Sequence, residues 1–369
     1  MKLQRHGVSA CLLAVTAASA VALAGCGSDN TPTANASGSA SAGSSDCATG
    51  QISAEGSTAQ GNAMDAWTQG YGKKCGASVT YNKTGSGAGV TSFTAGKVAF
   101  AGSDSSLKDT NQPAADKRCG AGNKAVDLPM VVSPIAVAFN LKNVSKLTLT
   151  PDAVASIFAG KITKWNDPAI AKSNPGVTLP ATTITTVHRS KDSGTTDNFA
   201  KFLDAQSKSI WTFGTGQAWK APGGKGVPGS ADVVSAIKST DASIAYVDGA
   251  DAKKNSLVIA ALDFGQGAVE LSTDTIGTAV AAAKVTQTGS DIKLTLNYGL
   301  KQAGAYPLGL VTYEITCQKG LPAAQSKLVK SFLTYTSSDE GQDAAAAAGH
   351  AKLPKDLQTK VQAAVATIS

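Results

Sequence analysis

The sequence predicts an α/β fold of two lobes, with mixed sheets flanked by helices and two crossover strands acting as a hinge. Three observations predict it. Between Gln51 and Ser105, short β-rich runs, turns of small polar residues and amphipathic helices follow one another in a repeated rhythm. Two long, β-rich apolar runs, Leu128–Leu141 and Tyr306–Cys317, stand far apart, and the first is too long for one strand of a small sheet. The stretch between them carries strands and helices of its own, so one unit interrupts another.

Taken in order, Gln51–Glu55 reads as a strand and Gly56-Ser57-Thr58 as its turn. Ala63, Met64, Trp67 and Tyr71 then share one helical face. Ser78–Tyr81 is the next strand, and Thr84-Gly85-Ser86-Gly87-Ala88-Gly89 leads into a helix with Val90 and Phe93. Val98–Ala101 is the third strand, ending in Gly102-Ser103-Asp104-Ser105. This rhythm argues for a parallel sheet, and in such sheets ligands sit at the carboxyl ends of the strands, where these turns lie. Leu128–Leu141, interrupted by Ser133-Pro134, is the first crossover, and Pro151–Phe158 is a helix with proline in its first turn. Lys161–Trp165, Asn166-Asp167-Pro168 and Asn174-Pro175-Gly176 mark a loop-rich surface. Ile184–His188 is a strand, and Trp211–Gly229 reads as a basic, glycine-rich loop. Its Gly223-Gly224-Lys225-Gly226 is no Walker loop, because no Gly-Lys-Ser/Thr follows at the right spacing. Val233–Ile237 and Thr273–Ala283 are helices, Ser243–Val247 and Leu257–Ala261 strands, and Tyr306–Cys317 the return crossover. Leu328–Tyr335, the alanine-rich 344–348 and Leu357–Val365 finish the chain as helices. The expected lobes are 46–134 with 305–369, and 135–304. Two crossovers between an interrupted and an interrupting domain are the plan of a hinge-closing binding protein.

Residues 1–25 have the layout of a secretory signal: Lys2, Arg5 and His6, then an apolar run from Val8 to Ala24. Leu23-Ala24-Gly25-Cys26 resembles a bacterial lipobox, which makes Cys26 the candidate lipidation site. Residues 26–45 are small and polar, a composition that forms no core and serves as a tether. No later stretch is apolar enough to span a bilayer, so the expected location is the outer face of the bacterial cell membrane, held by lipid. Hydrophobic residues at 42% suffice for two cores, while charged residues at 16% exclude a coiled coil or a charge-patterned disordered chain. The net charge of +7 has no basic helix or aromatic-interleaved strand to focus it, so no nucleic-acid partner is expected. Beyond Cys11 and Cys26, four cysteines remain in an oxidising compartment: Cys47, Cys75, Cys119 and Cys317. Three pairings are possible, and Cys47–Cys75 with Cys119–Cys317 is favoured. The first pair flanks one strand–helix unit, and the second ties the C-terminal part to the first domain. Zinc lacks closely spaced ligands here, and no metal or cofactor is expected.

The most informative stretch runs from Thr186 to Phe199. A strand delivers Arg189 to a turn, and Ser193-Gly194-Thr195 opens a helix whose apolar face carries Phe199, Phe202 and Leu203. Free amides and the positive end of the helix dipole favour an anion, and the guanidinium adds a bidentate fork. The plain alternative is a helix cap beside a surface charge.

Several pieces together resemble one family, the phosphate-binding lipoproteins of bacterial phosphate ABC transporters. They are Gly56-Ser57-Thr58, Gly85-Ser86-Gly87-Ala88-Gly89, Ala101-Gly102-Ser103-Asp104, Ile157-Phe158 to Asn166-Asp167, Arg189 with Ser193-Gly194-Thr195, and Ile244-Ala245-Tyr246-Val247. The resemblance spans nearly all of the chain after the leader. It implies a type II periplasmic-binding-protein fold, capture of inorganic phosphate between the lobes, and delivery to permease subunits by a monomer. It also implies a ligand shell: Thr58 and the amide of Ala59, Ser86, Arg189, and Ser193, Gly194 and Thr195 as donors, with Asp104 accepting the proton of phosphate. Sulfate has no such proton at neutral pH and would face an unpaired buried charge. Sites built on one obligatory hydrogen bond reject analogues by about 10⁴–10⁵. One position departs from the family pattern, which usually has an aspartate two residues after the arginine. Here Lys191 stands there and Asp192 follows. Either Asp192 reaches Arg189 by a small loop change, or the arginine is held less firmly, or Lys191 adds charge near the ligand.

Other classes fit less well. A serine hydrolase or secreted phosphatase needs an activated nucleophile or clustered metal ligands. After the leader there are only His188 and His350, and no Gly-x-Ser-x-Gly elbow, so no enzyme is expected. Binding of another tetrahedral oxyanion is disfavoured by Asp104. An adhesion or signalling lipoprotein that kept the fold and lost the ligand finds support only in Lys191.

Overall fold

A computed structural model describes residues 47–369. The leader, Cys26 and the tether lie outside the described residues. β1 (Gln51–Gly56) alternates, with Ile52 and Ala54 turned inward. α1 (Gly61–Cys75) buries Ala63, Met64, Trp67 and Tyr71, and stops at Gly76, whose φ of 65° is left-handed. β2 (Ser78–Lys83), α2 (Ser86–Thr94), β3 (Phe100–Ser103) and α3 (Gln112–Arg118) follow. β4 (Ala125–Asn140) is buried at every position but its last, as a strand covered on both faces must be.

β5 (Thr148–Leu149) precedes α4 (Pro151–Phe158), which Thr150 caps and proline opens. α5 (Pro168–Ala171) is capped by Asp167. β6 (Thr185–Arg189) runs to α6 (Gly194–Ser207), then come β7 (Lys225–Val227), α7 (Ser230–Ser239), β8 (Ser243–Asp248) and α8 (Gly249–Lys254). β9 (Val258–Ile259), β10 (Ala261–Asp263), β11 (Ala268–Val269) and α9 (Thr273–Ala281) lead to the hairpin β12 (Lys284–Thr288) and β13 (Asp291–Thr295). β14 (Gly309–Cys317) and the helices α10 (Ala323–Ser337), α11 (Asp339–Ala347) and α12 (Lys355–Ala366) complete the chain.

Among the described residues the main sheet runs β2-β1-β3-β14-β4-β8-β6-β7, with β9 also pairing β4. β1, β2 and β3 are parallel, while β14 is antiparallel to both β3 and β4. β4 carries the chain between two halves. Up to Pro134 it pairs with β14, and from Ile135 it pairs with β8. Each half has its own core. One gathers Trp67, Tyr71, Phe93, Phe100 and Phe332; the other gathers Phe139, Phe158, Trp165, Phe199 and Tyr246. This is a mixed α/β fold in two lobes. Side chains of this size stabilise by about 1.5–3 kcal/mol each when fully buried.

Three expectations need correction. The stretch read as a loop from Trp211 to Gly229 contains β7, an edge strand of three residues without alternation, whose pairing with β6 only the assembled sheet dictates. Leu257–Ala261 is two strands, one pairing β4 and one pairing β5. The chain also rejoins the first core before residue 305, because Ile276, Ala279, Val280, Ile292 and Leu296 pack there. The disulfides Cys47–Cys75 and Cys119–Cys317 are both present, the second closing 198 residues of sequence.

Candidate anion-binding site

Four turns converge where the two halves face each other: those after β1, before α2, after β3 and after β6. Ser193 caps α6 by accepting from the amide of Thr196. That local geometry follows from a serine before a helical run, and it puts Gly194 and Thr195 in the first turn.

Arg189 is 2% exposed and Asp104 is 3% exposed. Arg189 Nε donates to the carbonyl of Pro228 at 2.8 Å, and Nη1 donates to Thr58 and Ser193, each at 3.0 Å. Its Nη2 is buried with no protein acceptor. Burial pulls the guanidinium pKa down, yet arginine remains charged in proteins, so this nitrogen calls for an acceptor. The carboxylate of Asp104 faces it across a ring of hydroxyls. Ser57 donates to Oδ1 at 2.5 Å and Thr312 at 2.8 Å, while Ser86 and Thr195 donate to Oδ2 at 3.3 and 3.5 Å. Burial raises the Asp104 pKa, and the hydroxyls of Ser57 and Thr312, the charge of Arg189 and the hydroxyl of Ser86 oppose that rise. The amide of Gly194 donates to Ser86 Oγ at 3.3 Å, closing the ring between the two halves.

The backbone approach is close enough to require glycine. A Cβ on Gly194 would lie 2.4 Å from Asp104 Cβ, and one on Gly87 would lie 2.6 Å from Asp192 Cβ. Thus α2 and α6 can bring their starts together only with these glycines.

Thr58, Ser86, Asp104, Arg189, Ser193, Gly194 and Thr195 therefore meet in one place. Ala59 lies beside them, but its amide donates to Ser57 Oγ at 3.1 Å. Asp192 is exposed and has no hydrogen bond or ion pair with Arg189 among the described residues. Its side chain lies over Gly87, at the start of α2. A backbone carbonyl, that of Pro228, orients the guanidinium instead. Lys191 is exposed at the same turn.

Sequence reasoning missed Ser57, Thr312, Glu314 and Pro228. One signal was available for two of them. In the apolar β14, Thr312, Glu314 and Thr316 alternate, placing three polar residues on one face of a strand that is wholly buried. Neither carboxyl oxygen of Glu314 is within hydrogen-bonding geometry of a partner among the described residues, and burial pushes its pKa up to about 8 against the opposing pull of nearby Gln60. Among the described residues no group of three or more His, Cys, Asp or Glu could hold a metal ion, and no helix is long and apolar enough to cross a membrane.

The family model of the PBP superfamily domain matches residues 41–340. The phosphate-binding protein PstS 3 of Mycobacterium leprae is 38% identical over 382 residues, covering all of both chains. PstS2 of Mycobacterium bovis is 38% identical over 377 residues with the same coverage. The chain belongs to the phosphate-binding protein family of this superfamily. Solved structures share the fold at lower identity. A phosphate-bound high-affinity periplasmic phosphate-binding protein (PfluDING) matches with a TM-score of 0.67 and 22% identity, over 86% of this chain and 93% of that one. A phosphate-bound substrate-binding protein of a putative phosphate ABC transporter from Clostridium perfringens gives 0.59 and 21%, over 82% and 100%. The curated relatives are named as binding proteins rather than enzymes.

Proposed function

We propose that this protein captures inorganic phosphate between its two lobes and delivers it to the permease subunits of an ABC transporter. One observation carries the reading: a buried arginine with a free Nη2 faces a buried carboxylate within one ring of hydroxyl donors. Arg189, Thr58, Ser86, Ser193, Gly194 and Thr195 donate to the anion. Asp104 accepts its proton, which excludes fully ionised sulfate. Hydrogen bonds to charged groups contribute about 1.5–3 kcal/mol each, so a small surplus gives micromolar or tighter binding. Ala59 joins the shell only if its amide leaves Ser57. The protein acts as a monomer without catalysis, tethered at Cys26 to the outer face of the cell membrane. The first lobe comprises the segment up to Pro134 and the C-terminal helices, the second the segment that starts at Ile135.

Calorimetry on the full chain, freed of bound anion, tests this. One-to-one uptake of phosphate at neutral pH with sulfate ignored is the expected result. Folded protein that takes up neither anion would refute the transport reading.

A further inference from the structure

The carboxylate of Asp104 is not held symmetrically. Its two shortest hydrogen bonds, from Ser57 and Thr312, both go to Oδ1. Oδ2 receives only the longer contacts from Ser86 and Thr195, the residues at the starts of α2 and α6. One oxygen is thus saturated from behind, and the other is turned toward the helix starts.

Thr312 reaches this position through the sheet. In the β3–β14 pair Tyr313 stands opposite Ser103 and Glu314 opposite Gly102. Continuing that antiparallel register by one residue sets Thr312 opposite Asp104, the spacing at which cross-strand side chains meet. On the other side of β14, Thr312 pairs with Val131 and Tyr313 with Pro129, so Met130 is an extra residue on β4. A bulge of this kind re-aims neighbouring side chains, and it falls beside Thr312. Thr312 is fully buried, and the hydrogen bond to Asp104 spans 208 residues of sequence.

We propose that Thr312 is a positioning residue for anion discrimination: by occupying Oδ1 of Asp104 it leaves Oδ2 as the acceptor for the proton on the bound oxyanion. This rests on the phosphate reading above. The terminal torsion of an aspartate is broad, so loss of the Thr312 donor lets the carboxyl group turn. A group that can turn, and that holds a proton more readily, can present a donor to an anion without a proton. The discrimination then falls more than the affinity itself.

The test compares the full-chain wild type with Thr312→Val and Thr312→Ser, measuring phosphate dissociation constants and sulfate as competitor at neutral pH. Thr312→Val is expected to weaken phosphate about tenfold, the lower end of the value of one hydrogen bond to a charged group, because the lost bond is to Asp104 and not to the ligand. It is also expected to narrow the phosphate-to-sulfate ratio by tenfold or more, and Thr312→Ser to restore both. If Thr312→Val fails to fold, Thr312→Ala decides by the same ratio. A variant that folds and weakens both anions equally, or leaves both unchanged, overturns the proposal while the phosphate reading stands. Wild type that takes up no phosphate overturns that reading itself.

Discussion

Two groups of buried polar side chains differ in what they do with charge. In the cleft, Arg189 and Asp104 face each other, and four hydroxyls donate to the carboxylate. Where β4 passes between halves, Ser133, Asp248 and His350 are also buried, with Ser133 Oγ 2.5 Å from His350 Nδ1. There burial, with the charge of Asp251, raises the Asp248 pKa well above the usual range, and burial lowers that of His350 to about 4. The packing is close, since a Cβ on Gly249 would lie 2.9 Å from Pro134 Cγ. In the crossover cluster burial disfavours charge on both Asp248 and His350. Both groups hold buried polar atoms without a protein partner, Asp248 Oδ2 and His350 Nε2 in one and Arg189 Nη2 in the other, but only in the cleft is that atom on a side chain that stays charged.

The largest expected effect breaks the first half of this contrast. Asp104→Asn removes the proton acceptor and supplies a donor, so discrimination against sulfate should fall by up to about 10⁴. Competition calorimetry reads it directly, and retained discrimination would mean that another group selects the anion. Next, Arg189→Ala should weaken phosphate by about 10²–10³, because the ligand loses its one cationic partner. A change below threefold in folded protein would move the site elsewhere.

The crossover cluster should respond to acid rather than to ligand. His350 has a depressed pKa in the folded state, so its stabilising contribution is complete above about 6.5 and is lost as pH falls through about 4. Relative to His350→Gln, wild type should therefore lose up to about 3 kcal/mol between those values, read from denaturant titrations. A constant difference across that range would show that the ring is not buried neutral. Glu314, behind the cleft, has the opposite sign. Its raised pKa means stability present below about 4.5 and lost as pH rises toward about 8. Glu314→Gln should gain on wild type across that window, by a few kcal/mol at most. Smallest in its bearing on the site is Cys119→Ser with Cys317→Ser. Opening that 198-residue span should cost about 2–5 kcal/mol while leaving phosphate affinity within a factor of a few.

Much of the fold was legible because its signals are local. The spacing of Ala63, Met64, Trp67 and Tyr71 announced α1, and the apolar length of β4 announced a crossover. The candidate site was legible for the same reason only as far as its helix starts, which fall at Ser86 and at Ser193-Gly194-Thr195 as read. Pairing was not local. β7 has only three residues and no alternation, and Asp192 looked like an arginine partner until the turn placed it over Gly87.

What the sequence by itself determined was the local placing of the candidate donors: Ser193 caps α6 through the amide of Thr196, and Ser86 opens α2, so their positions travel with the local chain. What only the tertiary structure decided was how those donors are aimed. The carbonyl of Pro228 lies 39 residues from the arginine it orients, and Thr312 lies 208 residues from the carboxylate it holds. Such contacts depend on strand order and on a one-residue bulge, and a shift of one residue in register turns a side chain to the other face of the sheet.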